Sequence, residues 1–113
     1  MAQYVHKRFS TEEQNKLLEE ICGVLQDLGT VKEKEYFLKD LLSRGERVMI
    51  ARRFKIAKLL EEGLTYSEIA ELLGVGDGTI ARVEKMLNFG RNGYRIALKK
   101  IKNRPKKQVT QKF

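Results

Sequence analysis

Residues 65–83 read TYSEIAELLGVGDGTIARV, and no other stretch constrains the fold as strongly. It opens on Thr65-Tyr66-Ser67-Glu68, the S/T-x-x-E form in which two helix-end donors are satisfied reciprocally, so a helix starts there. EIAELL continues it to Leu73, and a second helix follows the glycines and runs through Phe89. Two short helices that cross steeply need a small residue at their approach and a residue tolerant of positive φ at the turn. Ala70 and Gly74, four apart, fill those roles. The pair must also share a core, and Ile69, Leu73, Val75, Ile80 and Val83 supply apolar groups at the offsets of a helix-turn-helix.

The glycines at 74, 76 and 78 invite comparison with phosphate loops. Gly76-x-Gly78-x-x-Ala81 fits the loose dinucleotide pattern, but that chemistry needs a buried strand before the glycines and an acidic residue about 20 positions later. The preceding segment is helical, and no acidic residue follows Arg91. A Gly-Lys-Ser/Thr ending is also missing, so neither phosphate loop is present. The helix-turn-helix spans about residues 66–89. Gly76 and Gly78 become positions where backbone N–H groups can approach a phosphate closely, and Asp77 or Thr79 caps the second helix.

Helical spacing recurs elsewhere, and no segment alternates apolar and polar residues as a strand would. Ser10 and Glu13 form another capping box. Leu17, Leu18, Ile21, Cys22, Leu25 and Leu28 follow at i, i+3, i+4 spacing, and Gly29 provides a stop. A second helix is expected over Lys32–Leu42 with Tyr36, Phe37, Leu38, Leu41 and Leu42 apolar, broken by Gly45. The third, Glu46–Glu62, should measure roughly 25 Å. Its face is Val48, Ile50, Ala51, Phe54, Ala57 and Leu60, widened by Met49, Ile56 and Leu59, and Gly63 ends it. After the turn signal Asn92-Gly93, YRIALKKI from Tyr94 forms a last amphipathic helix. The fold class is all-α with about six helices: a helical domain over residues 1–102 and a basic flexible tail over residues 103–113.

Charge is unevenly distributed. Residues 1–45 carry 7 Lys/Arg against 8 Asp/Glu, residues 46–90 carry 7 against 7, and residues 91–113 carry 9 against none. The formal net charge of +8 is therefore C-terminal. Such asymmetry marks a polyanion partner, nucleic acid first and acidic lipid second. No apolar run reaches the roughly 20 residues of a membrane span, and MAQYVHKRFS has no apolar signal-peptide core. A cytoplasmic location is expected, with association to the nucleoid when DNA is bound. The single Cys22 is expected as a buried structural thiol. His6, the only histidine, has no second ligand beside it, so no metal site is expected. No Ser/His/Asp, Cys/His or paired-carboxylate arrangement supports an enzyme.

Residues 41–90, LLSRGERVMIARRFKIAKLLEEGLTYSEIAELLGVGDGTIARVEKMLNFG, resemble the core of the Trp repressor family, specifically its YerC/YecD-type TrpR-related branch. The resemblance implies a Trp-repressor-like, intertwined homodimer of six-helix chains, in which helices outside the DNA-reading pair interlock.

A helix-turn-helix places its second helix in the major groove of double-stranded DNA, while the first crosses the backbone. Positions facing DNA are then Gly76, Asp77, Gly78, Ala81 and Arg82, with Thr79 and Lys85 nearby and Thr65 and Ser67 at the start of the first helix. Most are small, so specificity should rest on water bridges, thymine-methyl contact with Ala81 and DNA shape. The Trp repressor is itself the standard example of water-mediated reading. Lys85, Lys99, Lys100, Lys102, Arg104, Lys106 and Lys107 are candidate phosphate contacts.

In the family, a corepressor lies between an earlier helix and the reading helix, held by two arginines. Arg53 and Arg82 match those positions, and Ser43 falls near a ligand-contacting hydroxyl position. The chain departs from the pattern at Val83, where the family has glycine, and at Met86, where it has a small polar residue. Both additions push into indole space, and over-filling a pocket is costly. Tryptophan is therefore not expected to bind, and the effector is none or another small molecule. Arg53 and Arg82 are alternatively solvated or phosphate-facing. The expected function is a sequence-specific transcriptional regulator, a repressor. The alternative is a helical protein–protein interaction module without DNA specificity.

Overall fold

A computed structural model describes residues 8–105. The chain divides into two compact units, Met1–Ser43 and Arg44–Phe113. The described residues form six helices and no strand: α1 (Thr11–Asp27), α2 (Val31–Leu41), α3 (Arg44–Glu61), α4 (Tyr66–Leu73), α5 (Asp77–Phe89) and α6 (Gly93–Lys102). The expectations on His6, Lys106 and Lys107 lie outside the described residues.

The N-terminal unit holds α1 and α2. Ser10 caps α1 as expected: its hydroxyl accepts from the Glu13 N–H at 3.1 Å, and the Glu13 carboxylate accepts from the Ser10 N–H at 2.9 Å. The helix ends one residue before Leu28, whose extended backbone (φ −74°, ψ 131°) breaks the ladder before Gly29 is reached. Thr30 caps α2. Gly45 does not end this helix. Leu42 does so by turning extended (φ −109°, ψ 145°), and Gly45 lies in the first turn of α3.

Neither α1 nor α2 buries a side chain. Leu17, Leu18, Val24, Val31, Tyr36 and Leu41 are all exposed. Cys22 shares that exposure, which corrects the expectation of a buried thiol. Among the described residues α1 buries none of its apolar stripe, and a thiol can be buried only where a second surface meets it.

The second unit carries the core. One isoleucine from each of three helices, Ile56 of α3, Ile69 of α4 and Ile80 of α5, is wholly inaccessible. Ala57, Leu59, Val83, Leu87 and Leu98 complete the cluster. Burying an isoleucine side chain contributes about 1.5–3 kcal/mol. The face expected along the whole of α3 is buried only in its C-terminal half. Val48, Met49 and Ile50 are 45–50% exposed, because α4, α5 and α6 pack on the later turns.

The end of α3 explains how the chain turns toward α4. Gly63 takes φ +92°, its N–H donates to the Leu60 carbonyl, and the Leu64 N–H reaches back to the Leu59 carbonyl. These are the paired bonds of a Schellman motif. They place Leu64 against the core beside Leu59.

Candidate nucleic-acid interface

The α4–α5 helix pair is built from local signals. Thr65 accepts from the Glu68 N–H at 3.1 Å and Glu68 accepts from the Thr65 N–H at 2.9 Å, a complete capping box at the start of α4. Gly74 closes α4 in the left-handed region (φ +67°, ψ 43°), where an L side chain is strained. Val75 then tucks against the core, and α5 begins.

The start of α5 differs from expectation by one position. Gly76 is the N-cap and provides no side-chain hydrogen bond. Asp77 is the first helical residue and Thr79 the third, so neither caps. Asp77 instead places its charge in the first turn, where the helix dipole favours an anion. The Thr79 and Ile80 N–H groups donate to the Gly76 carbonyl, and with no side-chain oxygen at the cap the Asp77 and Gly78 N–H groups face outward at the helix start. A Cβ built at Gly76 or Gly78 meets no atom within 4 Å. Neither glycine is required by a neighbour within the fold.

Burial sorts α5 into two faces. Ile80, Val83 and Leu87 point into the core. Asp77, Gly78, Thr79, Ala81, Arg82 and Lys85 are exposed, as are Gly76 in the turn and Thr65 and Ser67 at the start of α4. All nine residues expected to face DNA therefore lie on the surface of one helix pair.

A single side-chain hydrogen bond crosses that pair among the described residues: the Tyr66 hydroxyl donates to the Glu84 carboxylate. This bond holds the Tyr66 hydroxyl above the usual tyrosine pKa; burial and the charges of Glu84 and Asp77 act in the same direction. Behind the pair, Arg95 of α6 donates to Glu61 of α3 at 2.9 Å and to Asn88 of α5 at 2.8 Å, tying three helices together.

Beside the turn lies a cleft of about 610 Å³, within the range of small-molecule sites. It brings together four of the five residues expected to hold an effector: Arg53, Arg82, Val83 and Met86. Ser43 is not among its lining and ends the N-terminal unit. Met49, Arg52 and Tyr94 line the cleft as well, and the sequence reading missed them. Met49 and Arg53 stand at i, i+4, a signal that could have added Met49. Tyr94 arrives only through the return of α6, which no local pattern reports. Among the described residues, Arg52, Arg53 and Arg82 show no ion pair. Val83 is only 2% exposed because it packs with the core, and the cleft persists with both Val83 and Met86 in place.

The Trp repressor protein family model matches residues 16–102, which includes all of α4, α5 and α6. The chain belongs to the Trp repressor family. Within it, the chain is 33% identical over 87 residues to the uncharacterized protein YerC of Bacillus subtilis (strain 168), covering 77% of this chain and 84% of that protein. A TrpR-like protein from Eubacterium eligens shares the fold with a TM-score of 0.75 and 29% identity, over 86% of this chain and all of that one. A putative Trp repressor from Staphylococcus aureus gives a TM-score of 0.74 at 25% identity, over 87% of this chain and all of that one. The six-helix Trp repressor fold is thus the setting of the cleft and of the outward face of α5. No helix among the described residues is long and apolar enough to cross a membrane.

Proposed function

We propose that this Trp repressor family member is a sequence-specific DNA-binding regulator of transcription, a repressor, that reads the major groove with α5. The supporting observation is the two-sided character of that helix. Ile80, Val83 and Leu87 anchor it, while Gly76, Asp77, Gly78, Thr79, Ala81, Arg82 and Lys85 face outward around an N-terminus without a side-chain cap. Thr65 and Ser67 lie where α4 would cross the DNA backbone. Residues 1–102 form the Trp-repressor-like helical domain, and the basic residues 103–113 add phosphate contacts.

The working unit is a homodimer. The exposed leucines of α1 and the exposed Val48, Met49 and Ile50 of α3 are apolar surface that a second chain would cover. A two-fold dimer carries two reading helices, spaced about 34 Å apart for successive major grooves of a pseudo-palindrome. Either the protein binds DNA without an effector, or the cleft lined by Arg53 and Arg82 takes an effector other than tryptophan.

A genome-wide map of bound DNA, followed by anisotropy titration of the recovered sites, tests this reading. The expected result is a two-fold symmetric site bound with steep salt dependence. Binding to a protein partner that survives 0.5 M salt, with no duplex bound, would favour the interaction-module reading. Calorimetric titration with L-tryptophan should give no micromolar binding.

A further inference from the structure

Tyr66 and Glu84 stand 18 positions apart in the chain, at the first residue of α4 and the eighth of α5. The rest of the α4–α5 junction is apolar: Ile69, Ile80 and Val83, with Ala70, Leu73 and Val75 around them. Apolar packing is non-directional and tolerates small rotations of one helix over another. A hydrogen bond to a charged acceptor is directional, so it selects one rotation.

Both ends of this bond are held. The capping box at Thr65 and Glu68 fixes the backbone at Tyr66, whose ring packs against the core cluster. Glu84 follows the buried Val83 directly and is itself half-buried. Glu84 also sits between outward-facing residues, with Arg82 two positions before it and Lys85 immediately after. A rotation of α5 that broke the bond would carry those two cations with it. Engagement by Tyr66 further keeps the carboxylate turned toward α4.

We propose that Tyr66 and Glu84 are positioning residues for DNA reading: their hydrogen bond sets the rotation of α5 on α4. The inference rests on the DNA-reading assignment above and adds how the reading helix is oriented.

The test uses the full chain, a duplex recovered from the genome-wide map, an unrelated duplex, and the variants Tyr66→Phe, Glu84→Ala, Glu84→Gln and the double variant Y66F/E84A. Tyr66→Phe and Glu84→Ala should each weaken binding to the recovered duplex about tenfold, as loss of a hydrogen bond to a charged group implies. The unrelated duplex should be bound as before. Glu84→Gln, whose amide oxygen still accepts from the phenol, should retain most of the affinity. The double variant should be no worse than either single. Amide hydrogen exchange in the DNA-free protein should accelerate across α5 in Tyr66→Phe and Glu84→Ala but not in Glu84→Gln. Unchanged exchange in Tyr66→Phe, Glu84→Gln as damaging as Glu84→Ala, or additive losses would overturn the proposal. If the wild-type chain binds no duplex, the DNA-reading assignment falls and the pair's role in DNA reading falls with it, whereas unchanged exchange in a chain that does bind overturns only the positioning role.

Discussion

A side chain at Gly90 would place its Cβ 2.5 Å from the carbonyl oxygen of Met86, the group that accepts the Gly90 N–H as α5 ends. The clash is with backbone, which has no rotamer to step aside. The φ of −86° lies outside the left-handed region, so the crowding, not a positive φ, is what demands glycine here. Gly90→Ala should destabilise the fold by about 1–3 kcal/mol, read as a shift of the urea midpoint at constant slope. A loss below about 0.5 kcal/mol, the range of ordinary surface changes, would show that the α5–α6 turn adjusts freely.

Gly78 provides the opposite case. No atom lies within 4 Å of its missing Cβ, and its φ is not in the left-handed region. Gly78→Leu should leave the urea midpoint nearly unchanged while weakening DNA binding, since the new side chain projects only into the space assigned to DNA. Equal affinity for the two proteins would contradict close approach at this position.

Lys85 is exposed on the same face of α5. Lys85→Ala should weaken binding to all duplexes alike and reduce the slope of log K against log salt by about one. Deletion of residues 103–113 should do the same to a greater degree. A loss confined to one sequence would instead make these residues base readers.

Leu18 is 59% exposed on a helix that buries nothing. Leu18→Glu should shift sedimentation equilibrium from a two-chain mass toward 13.1 kDa. A wild-type chain that sediments as a monomer at micromolar concentration would remove the homodimer.

The Tyr66 hydroxyl is held above the usual tyrosine pKa of about 10, chiefly by its bond to Glu84. A group whose folded pKa is raised stabilises the fold fully below its unfolded pKa and loses that contribution as pH rises through the folded one. The wild-type protein should therefore lose stability more steeply than Tyr66→Phe above about pH 10. Parallel curves in thermal melts would argue that the bond contributes nothing in solution.

Much of the α4–α5 pair is legible in the sequence. The capping boxes at Ser10 and Thr65, the left-handed glycines at 63 and 74, and the inward set Ile69, Ile80 and Val83 all sit where their spacing placed them. Smaller misreadings came from rival stop signals. Leu28 and Leu42 end their helices by turning extended, a choice that glycine counting does not see. At α5 the cap falls on Gly76, one residue before the two polar side chains able to fill that role.

What the sequence determined by itself is therefore what a chain decides within one or two helical turns: six helices, the capping boxes of α1 and α4, and which residues of α4 and α5 face inward. Those outcomes depend on covalent geometry and on groups at most a few residues apart. Only the tertiary structure decided what meets across helices. Tyr66 meets Glu84, Arg95 reaches both Glu61 and Asn88, and Tyr94 joins Arg53 and Arg82 around one cleft. Those meetings depend on crossing angles set by how Ile56, Ile69 and Ile80 pack. The exposure of Cys22 has the same origin, since an apolar stripe specifies that it should be covered but not by what.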